Sequence, residues 1–369
     1  MNSTEENFVA RSVTHQIGVT DEIVFVADVD ARRYAEARSS GMAIAWNVKR
    51  RSPFAFNGWK ARTEEIRRYI DQDTEQVQRD KTLSSLREIL DAGARGSIMI
   101  DMQDRRIRSV ISPEMRGHPV FCFNRLAGEP GRILWPLPRY QDFGSDDFLG
   151  NLDPVRVGWA EKDDKFAWRG IAGGRANPHL DARREKERLK PLLRKLKTGA
   201  LGADRAKARL LTFPRFRFVD RYLEDSRADV GFVDGNGFIL RSEDLLEPYE
   251  KPRIPREAFQ RFKYLVVLRG LDVGSSFYWT MNSGSLGLVM ETPFESFASV
   301  HFEPWMHYVP FKEDLSDFEE NFAWCQSHQD ECQAMTRRAA EVCMLLSRAD
   351  LRAEILRRVV AEVNRLTGQ

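Results

Sequence analysis

The feature that most constrains the fold is the alternation of strand and helix patterns between residues 263 and 291. KYLVVL at 263–268 is a short apolar run of the kind that forms a buried strand. The loop RGLDVG follows, a helix is predicted to start near Ser275 or Ser276 and to end near Gly284, and SLGLVME at 285–291 has the pattern of a second strand. Because strands alternate with helices here, the segment predicts a parallel α/β sheet.

The rest of the chain extends this pattern. Apolar runs at 22–28 (EIVFVAD), 96–101 (GSIMID), 119–124 (PVFCFN) and 165–170 (KFAWRG) predict further strands. Helical spacing is expected from about Lys60 to Ala92 and from Asp330 to Leu366, and Ser316 with Glu319 matches a helix capping box. A length of 369 residues allows two domains, and the proline- and glycine-containing text GEPGRILWPLPRYQDFG predicts their boundary near residues 150–160.

Charge is distributed unevenly along a chain whose net charge is only +2. That small net charge argues against a nucleic-acid-binding protein. Between Arg183 and Arg217, however, thirteen Lys and Arg residues stand against three Asp and Glu residues. This segment predicts either a solvated helix face or contact with an anionic partner, which would be a membrane surface or a phosphorylated glycan.

The cysteines and the N-terminal residues indicate the compartment. Cys122, Cys325, Cys332 and Cys343 lack the spacing of zinc ligands and are expected to be free, mostly buried thiols. MNSTEENFVARSV has acidic residues where a signal peptide needs basic ones, and no stretch approaches the length of an apolar membrane span. The expected location is cytoplasmic, at most peripheral to the inner face of the plasma membrane.

Two glycine-containing loops are candidates for binding phosphate. Gly270 and Gly274 permit close approach of the backbone, and Ser275 and Ser276 would either cap the following helix or bind an oxyanion. In AWRGIAGGR, Arg169 ends a strand beside three glycines, a pattern that suits a diphosphate clamp. The alternative for Arg169 is a salt bridge between domains.

Carboxylates follow two of the predicted strands. Asp28 and Asp30 form an Asp-x-Asp pattern that some sugar transferases use to hold a metal and a nucleotide diphosphate, but Asp30 also suits a helix cap. In IDMQDRR, Asp101 or Asp104 is expected to face a cleft between domains unless both are surface acids of a turn.

Taken together, YLVVLRGLDVGSSFYWTMNSGSLGLVMETPFES and EPWMHYVPFKEDLSDFEENFAW resemble the signature of glycosyltransferase family 90. AWRG at 167–170 is similar to an upstream arginine–glycine motif of that family, and IDMQDRR with PVFCFN to its N-terminal pattern. The resemblance covers roughly residues 95–345 and is closest to the bacterial lipopolysaccharide-modifying members.

The resemblance implies a GT-B fold, in which two Rossmann-like α/β domains face a central cleft. The implied parts are an acceptor-side domain (1–155), a nucleotide-sugar-binding domain (156–335) and a C-terminal helical segment (336–369) that packs back on the first. The implied reaction is inverting, metal-independent transfer of a glucose- or xylose-like sugar from a UDP-sugar to a hydroxyl of lipopolysaccharide or capsule. The donor is a substrate, and no cofactor, metal or nucleic acid is expected.

The resemblance also assigns residues. Asp104 is the implied catalytic base, with Asp101 as the alternative, and Arg169 would neutralise charge on the departing UDP. The implied UDP-sugar-binding residues are Arg169, Gly170, Arg269, Gly274, Ser275, Ser276, Phe277, Ser283, Ser285 and Glu295.

The sequence departs from the family pattern at two places. Eukaryotic members carry an arginine soon after the serines where Tyr278 and Trp279 stand here, so Arg269 is the expected substitute. Gln103 and Arg105 flank Asp104 where eukaryotic members more often show an arginine and an aromatic residue. Because of Tyr278, a non-catalytic nucleotide-sugar- or glycan-binding protein on the same scaffold is the alternative function. A protein O-glycosyltransferase is a third possibility, which the apparent lack of a secretory signal disfavours.

The segment EPWMHYVPF concentrates rings around one histidine. Trp305, His307 and Tyr308 are expected to belong mainly to the core, with a hydrogen-bonded histidine, rather than to contact the nucleotide or the sugar.

Overall fold

The computed structural model describes residues 1–20, 43–57, 63–71, 81–102, 118–137, 157–174, 189–233, 246–270 and 273–369. The chain forms two compact units. The first comprises Met1–Asn151, Pro293–His301 and Met344–Gln369, and the second comprises Leu152–Thr292 and Phe302–Cys343.

The first unit contains strands, an N-terminal helix and part of the C-terminal helical tail. Its strands are β1 (Ala43–Asn47), β2 (Ser52–Asn57), β3 (Ser97–Asp101), β4 (Val120–Cys122), β5 (Asn124–Leu126), β6 (Arg132–Leu134) and β11 (Phe294–Ser296). Its helices are α1 (Ser3–Ile17), α2 (Thr63–Asp71), α3 (Lys81–Asp91) and α11 (Ala349–Leu366).

The main sheet of the first unit has the strand order β2-β1-β3-β4-β6. β3, β4 and β6 run parallel, whereas β1 pairs antiparallel with both β2 and β3. The sheet of the first unit is therefore mixed, whereas the parallel sheet was predicted from the pattern of the second half of the chain. The described apolar residues of β3 and β4 are buried nearly completely, as their continuous apolar runs predict.

Helix α1 is fixed at its start and along one face. Asn2 and Glu5 form a reciprocal capping box, and α1 packs against α11. Arg348 pairs with Glu5, and Arg358 lies 2.5 Å from Glu6, so ion pairs accompany this packing.

The second unit contains the remaining strands β7 (Asp163–Gly170), β8 (Ala228–Phe232), β9 (Phe262–Val267), β10 (Leu286–Met290) and β12 (Val309–Phe311). Its helices are α4 (Leu189–Lys197), α5 (Ala203–Leu210), α6 (Pro214–Tyr222), α7 (Arg256–Phe259), α8 (Phe277–Met281), α9 (Phe318–Ser327) and most of α10 (Gln329–Leu346).

The sheet of the second unit is parallel throughout, in the order β12-β10-β9-β7-β8. The strand–helix–strand prediction for residues 263–291 is thus confirmed. Phe166 on β7 is fully buried against one face of the sheet, with four aromatic rings at centroid distances of 5.0 to 6.0 Å. These rings come from α6 and α9, which therefore cover this face.

Two predictions about helix ends are corrected. Helix α9 begins at Phe318 with Asp317 as its N-cap residue and without a capping-box hydrogen bond, because the N–H of Ser316 donates to the carboxylate of Asp314 instead. The helical tail is confirmed but is divided into α10 and α11. The predicted strand at 22–28, with Asp28 and Asp30, lies outside the described residues.

The ring-rich segment before β12 is only partly a core element. His307 is buried, and its Nδ1 accepts a hydrogen bond of 2.9 Å from the N–H of Glu303, which confirms the expectation for the histidine. Trp305 is 43% exposed and has a positive φ of 62°, so the prediction of a core role is wrong for this residue. The left-handed backbone at Trp305 turns the side chain outward, where its ring packs edge-on against Trp324.

Candidate functional site

The carboxyl end of the parallel sheet in the second unit brings the two glycine-containing loops together. The loop at 171–174 follows β7, and the loop that begins at Leu268 follows the neighbouring strand β9. Gly174 has a φ of +132°, and a Cβ there would lie 3.3 Å from the carbonyl oxygen of Gly270. Since ligands of open α/β sheets bind beyond the carboxyl ends of the strands, these loops form the candidate site.

Gly274 allows the second loop to pass closely over the end of its own strand. A Cβ at this position would lie 2.6 Å from the Val267 side chain and 3.2 Å from the carbonyl oxygen of Leu268. Ser275 is exposed and Ser276 half-buried, and neither caps α8 through its side chain. Phe277 packs edge-on against Phe302 and Tyr308, which anchors the start of the helix.

Arg269 places a buried positive charge beside the second loop. It is 7% exposed, and Nη2 pairs with the carboxylate of Glu313 in the segment after β12. Its Nε has no hydrogen-bond partner among the described residues. An arginine with a donor left over can bind an additional anionic oxygen. The role of Arg269 in binding the UDP-sugar stays a prediction.

Backbone N–H groups of these loops also lack acceptors among the described residues, and those of Ala172 and Gly270 belong to this set. Within the described residues, the N–H groups of Ala172 and Gly270 donate to no protein acceptor, although Ala172 is buried. Buried backbone donors without partners are rare and mark a place where a missing acceptor belongs. The site therefore offers amide donors and an arginine donor to an anion.

Arg169 is bound within the sheet. Its Nη2 lies 2.5 Å from a carboxylate oxygen of Asp229 on β8, and its Nη1 donates to the carbonyl oxygens of Asp229 (2.7 Å) and Trp168 (3.1 Å). The Nε donates to Pro252 at 3.3 Å. This arrangement is a salt bridge within one unit, so the described contacts give Arg169 a structural role, and its contact with UDP stays a prediction. Gly170 beside it packs against the Trp168 ring.

Ser283 and Ser285 precede β10 and therefore lie at the amino-terminal end of the parallel strands. The glycine loops lie at the carboxyl end. The hydroxyl of Ser283 donates to the carbonyl of Thr280 at 2.7 Å, and that of Ser285 to the carbonyl of Phe262, at the start of β9, at 2.7 Å. We therefore leave both serines out of the site that we propose below.

Lys162 is buried beside Ser285. It is 5% exposed, and its Nζ donates to the hydroxyl of Ser285 at 3.0 Å and to the carbonyl of Gln260. Burial lowers the pKa of this lysine from 10.5 to about 8, because desolvation disfavours the charged form.

We expect the Lys162 pKa to make the stability of the second unit depend on pH. Between pH 8 and 10.5 the unfolded chain binds more protons at this group than the folded chain, so the free energy of unfolding should rise with pH, by at most about 3 kcal/mol. Urea unfolding of the wild type, Lys162→Met and the exposed control Lys165→Met at pH 8 and pH 10 measures this. An equal pH dependence in all three proteins would contradict it.

The remaining candidates lie in the first unit or outside the described residues. Glu295, on β11, pairs with the buried Arg125 at 2.9 Å. Asp101 ends β3 and is fully buried. Asp104, with its neighbours Gln103 and Arg105, lies outside the described residues.

The described part of the basic segment forms helices, as predicted. Helix α4 buries Leu189, Leu192 and Leu193, while Lys190, Arg194 and Lys195 are exposed. Leucines three and four positions apart form one face, which leaves the cations on the solvent side.

Sequence reasoning missed two residues of the site. Glu313 belongs to the FKEDLSDF stretch but had no assigned partner. Arg215, whose guanidinium donates to the carbonyl oxygens of Ile171 and Arg269, was counted only within the basic segment. Neither stands in a local motif, since their partners are loops that lie far away in the sequence.

Three further properties hold for the described residues. No group of three or more His, Cys, Asp and Glu side chains in them is placed to hold a metal ion. None of their helices has the length and apolar character that crossing a membrane requires. All four cysteines are buried and free, as expected.

Comparison with protein families gives a match between residues 241–350 and Glycosyl transferase family 90. This region contains both glycosyltransferase-like stretches of the sequence, the Arg269–Glu313 pair and the loop with Gly274. The match confirms the resemblance to family 90 here, whereas AWRG at 167–170 and the N-terminal pattern lie outside it.

Similar curated proteins carry related names. O-glucosyltransferase LpsA of Dichelobacter nodosus is 23% identical over 34% of this chain and 38% of its own length. Protein O-glucosyltransferase 3 of Rattus norvegicus is 32% identical over 21% of this chain and 16% of its own length. The matches thus span well under half the length of these relatives. With the family match, they support the predicted class, a glycosyltransferase.

Proposed function

We propose that this protein transfers a glucose- or xylose-like sugar from a UDP-sugar to a hydroxyl of a cell-surface glycan such as lipopolysaccharide or capsule. The family 90 match over residues 241–350 and the two O-glucosyltransferases support glycosyl transfer. The resemblance of the sequence to the bacterial lipopolysaccharide-modifying members of family 90 supports the choice of acceptor. The rat relative is named a protein O-glucosyltransferase, so a protein hydroxyl is the second candidate acceptor.

The observation that carries this proposal is the set of unused donors at the carboxyl end of the second unit's sheet. Ala172 and Gly270 offer backbone N–H groups, and Arg269 offers its Nε, all without acceptors among the described residues. A diphosphate supplies several anionic oxygens to such donors. We therefore assign the diphosphate of the donor to these two loops, with Ser275 and Ser276 beside it.

The proposed reaction is a single displacement with inversion. Asp104 takes the proton from the acceptor hydroxyl, and the acceptor oxygen forms a bond to C1 of the sugar. The bond between C1 and the oxygen of the β-phosphate breaks, and UDP leaves with both bonding electrons. Donors aimed at the diphosphate stabilise the charge that develops there, and this lowers the barrier.

Protein groups supply this stabilisation in our proposal, without a divalent metal. Arg269 is the central group, because its planar guanidinium can donate to anionic oxygens with fixed geometry. The GT-B arrangement that the family resemblance implies belongs to the same proposal.

The test is the release of UDP from a panel of UDP-sugars that includes UDP-glucose and UDP-xylose, with and without lipopolysaccharide fractions as acceptors. Release that one sugar donor supports and an acceptor accelerates is the expected result. UDP binding without release under any of these conditions would overturn catalysis and favour a nucleotide-sugar-binding protein.

The binding-protein alternative began with Tyr278, which stands where eukaryotic relatives carry an arginine. Tyr278 is buried and packs edge-on against Phe277 and Phe302. Tyr278 is therefore a core residue, and in our proposal Arg269 supplies the positive charge that the arginine of the eukaryotic relatives would supply.

We further propose that the basic face of α4 holds the enzyme at an anionic membrane. Lys190, Arg194 and Lys195 are exposed there and form no ion pair within the described residues. Lysine and arginine side chains near an anionic surface each contribute about 1 kcal/mol.

Reversing the charge of two basic side chains on α4 should therefore abolish binding of the protein to anionic vesicles. The variant Lys190→Glu/Arg194→Glu is expected to lose sedimentation with phosphatidylglycerol-containing vesicles at low salt. Arg253→Glu/Arg256→Glu, an equal charge change at exposed residues elsewhere in the second unit, should retain it. Equal sedimentation of both variants would contradict the assignment.

A further inference from the structure

We propose that Arg215, in the first turn of α6, is a positioning residue that gives the two donor-binding loops their shape. It is not a residue that contacts the diphosphate itself. This inference rests on the proposed binding of a UDP-sugar at these loops. The helix that carries Arg215 starts with Pro214 and belongs to the crossover between β7 and β8.

Arg215 joins the loop after β7 to the loop after β9. Its Nη1 donates to the carbonyl oxygen of Ile171 at 3.0 Å. Its Nε and Nη2 donate to the carbonyl oxygens of Arg269 (3.2 Å) and Leu268 (3.4 Å). A single guanidinium thus binds three carbonyl groups from two loops that lie almost 100 residues apart in the sequence.

These hydrogen bonds set the direction of the neighbouring N–H groups. In a trans peptide the C=O of one residue and the N–H of the next point in opposite directions. The peptides after Ile171 and Arg269 direct their C=O groups to Arg215, so the N–H groups of Ala172 and Gly270 point away from it. Both are among the N–H groups of these loops that lack acceptors within the described residues.

The surroundings hold the guanidinium in one place. Its central carbon lies 5.7 Å from the centre of the Trp168 ring. A Cβ at Gly270 would approach Nη2 to 2.8 Å, so the absence of a side chain there lets the loop lie against the arginine. Both contacts favour one orientation of the planar fork, which a lysine would not reproduce.

The test compares the wild type with Arg215→Met and Arg215→Lys, and it uses Arg221→Met as the matched control. Arg221 lies on the same helix and also donates to a loop carbonyl, that of Leu315 at 3.3 Å. Calorimetry with UDP and with uridine separates diphosphate contacts from nucleoside contacts. Thermal unfolding midpoints show whether each variant is folded.

We expect Arg215→Met and Arg215→Lys to weaken UDP binding at least tenfold and to leave the uridine affinity within about twofold of the wild type. Arg221→Met should bind UDP as the wild type does. Weak UDP binding by Arg215→Lys would show that tight UDP binding requires the hydrogen bonds of the guanidinium to both loops. A positive charge at this position would then not be sufficient.

The results that would overturn the role of Arg215 differ from those that would overturn the proposed function. If the wild type binds UDP and Arg215→Lys or Arg215→Met binds it equally well, the role of Arg215 is wrong while the proposed function stands. If the folded wild type does not bind UDP at millimolar concentration, both the proposed function and this inference fail. An equal loss of uridine and UDP binding would indicate a general structural role and would also overturn the inference.

Discussion

Replacing Asp104 by asparagine is expected to lower the turnover of the UDP-sugar by 10²-fold or more, since general bases contribute typically about 10²–10⁴-fold. Asparagine keeps the size of the side chain but cannot take the proton of the acceptor hydroxyl. The measurement is the initial rate of UDP release at saturating donor and acceptor. The affinity for UDP should stay within about twofold, because the diphosphate donors that we assign belong to the second unit.

The matched control is Asp101→Asn, which makes the same chemical change at the other acid of IDMQDRR. Asp101 is fully buried at the end of β3, so we expect its substitution to lower stability more than the rate of the folded protein. An active Asp104→Asn enzyme together with an inactive but folded Asp101→Asn enzyme would move the base to Asp101. Full activity of both variants would contradict base catalysis by this segment.

Replacing Arg169 by methionine is expected to lower the free energy of unfolding by about 3–5 kcal/mol. The guanidinium is 7% exposed and binds the Asp229 carboxylate and three carbonyl oxygens, so its loss removes the nearest cation of Asp229 and four hydrogen bonds. Urea denaturation followed by tryptophan fluorescence measures the change. This variant also separates the structural role of Arg169 from the sequence-based assignment to UDP.

Arg261→Met is the control, because Arg261 lies 3.7 Å from the same carboxylate but is 61% exposed. An exposed pair contributes about 0–1 kcal/mol, so this variant should unfold almost as the wild type does. Unchanged stability of Arg169→Met with a large loss of UDP affinity would contradict the structural role. It would support the contact with UDP that the family resemblance implies.

The strand and helix pattern of the second unit could be predicted because its physical cause is local. KYLVVL and SLGLVME are buried on both faces of a parallel sheet, so their continuous apolar runs are required wherever they fold. The pairing of β1 with β2 and β3 could not be predicted in this way, since the direction of a strand pair depends on distant segments.

Only part of the candidate site could be predicted from the sequence, because some of its contacts join residues that lie far apart in the chain. Gly270, Gly274 and Arg269 are residue types that predict a phosphate-binding loop after β9, and the structure places them at the carboxyl end of the strands, as expected. Their partners Arg215 and Glu313 stand far from them in the sequence, in segments without a phosphate-binding pattern. Ser283 and Ser285 are also of a residue type that can bind phosphate, but they lie at the amino-terminal end of the strands. The reason is that α8 leads the chain back from the carboxyl end of β9 to the start of β10.

The most direct test of our central claim is calorimetry of UDP binding to the wild-type protein in excess EDTA, repeated with millimolar Mn²⁺. The claim is that protein donors at the loops after β7 and β9, with Arg269 among them, bind the diphosphate. We therefore predict an affinity in EDTA within about threefold of that with Mn²⁺, and a loss of at least tenfold in Arg269→Met under both conditions. UDP binding that appears only when Mn²⁺ is added, or that is unchanged in Arg269→Met, would contradict it.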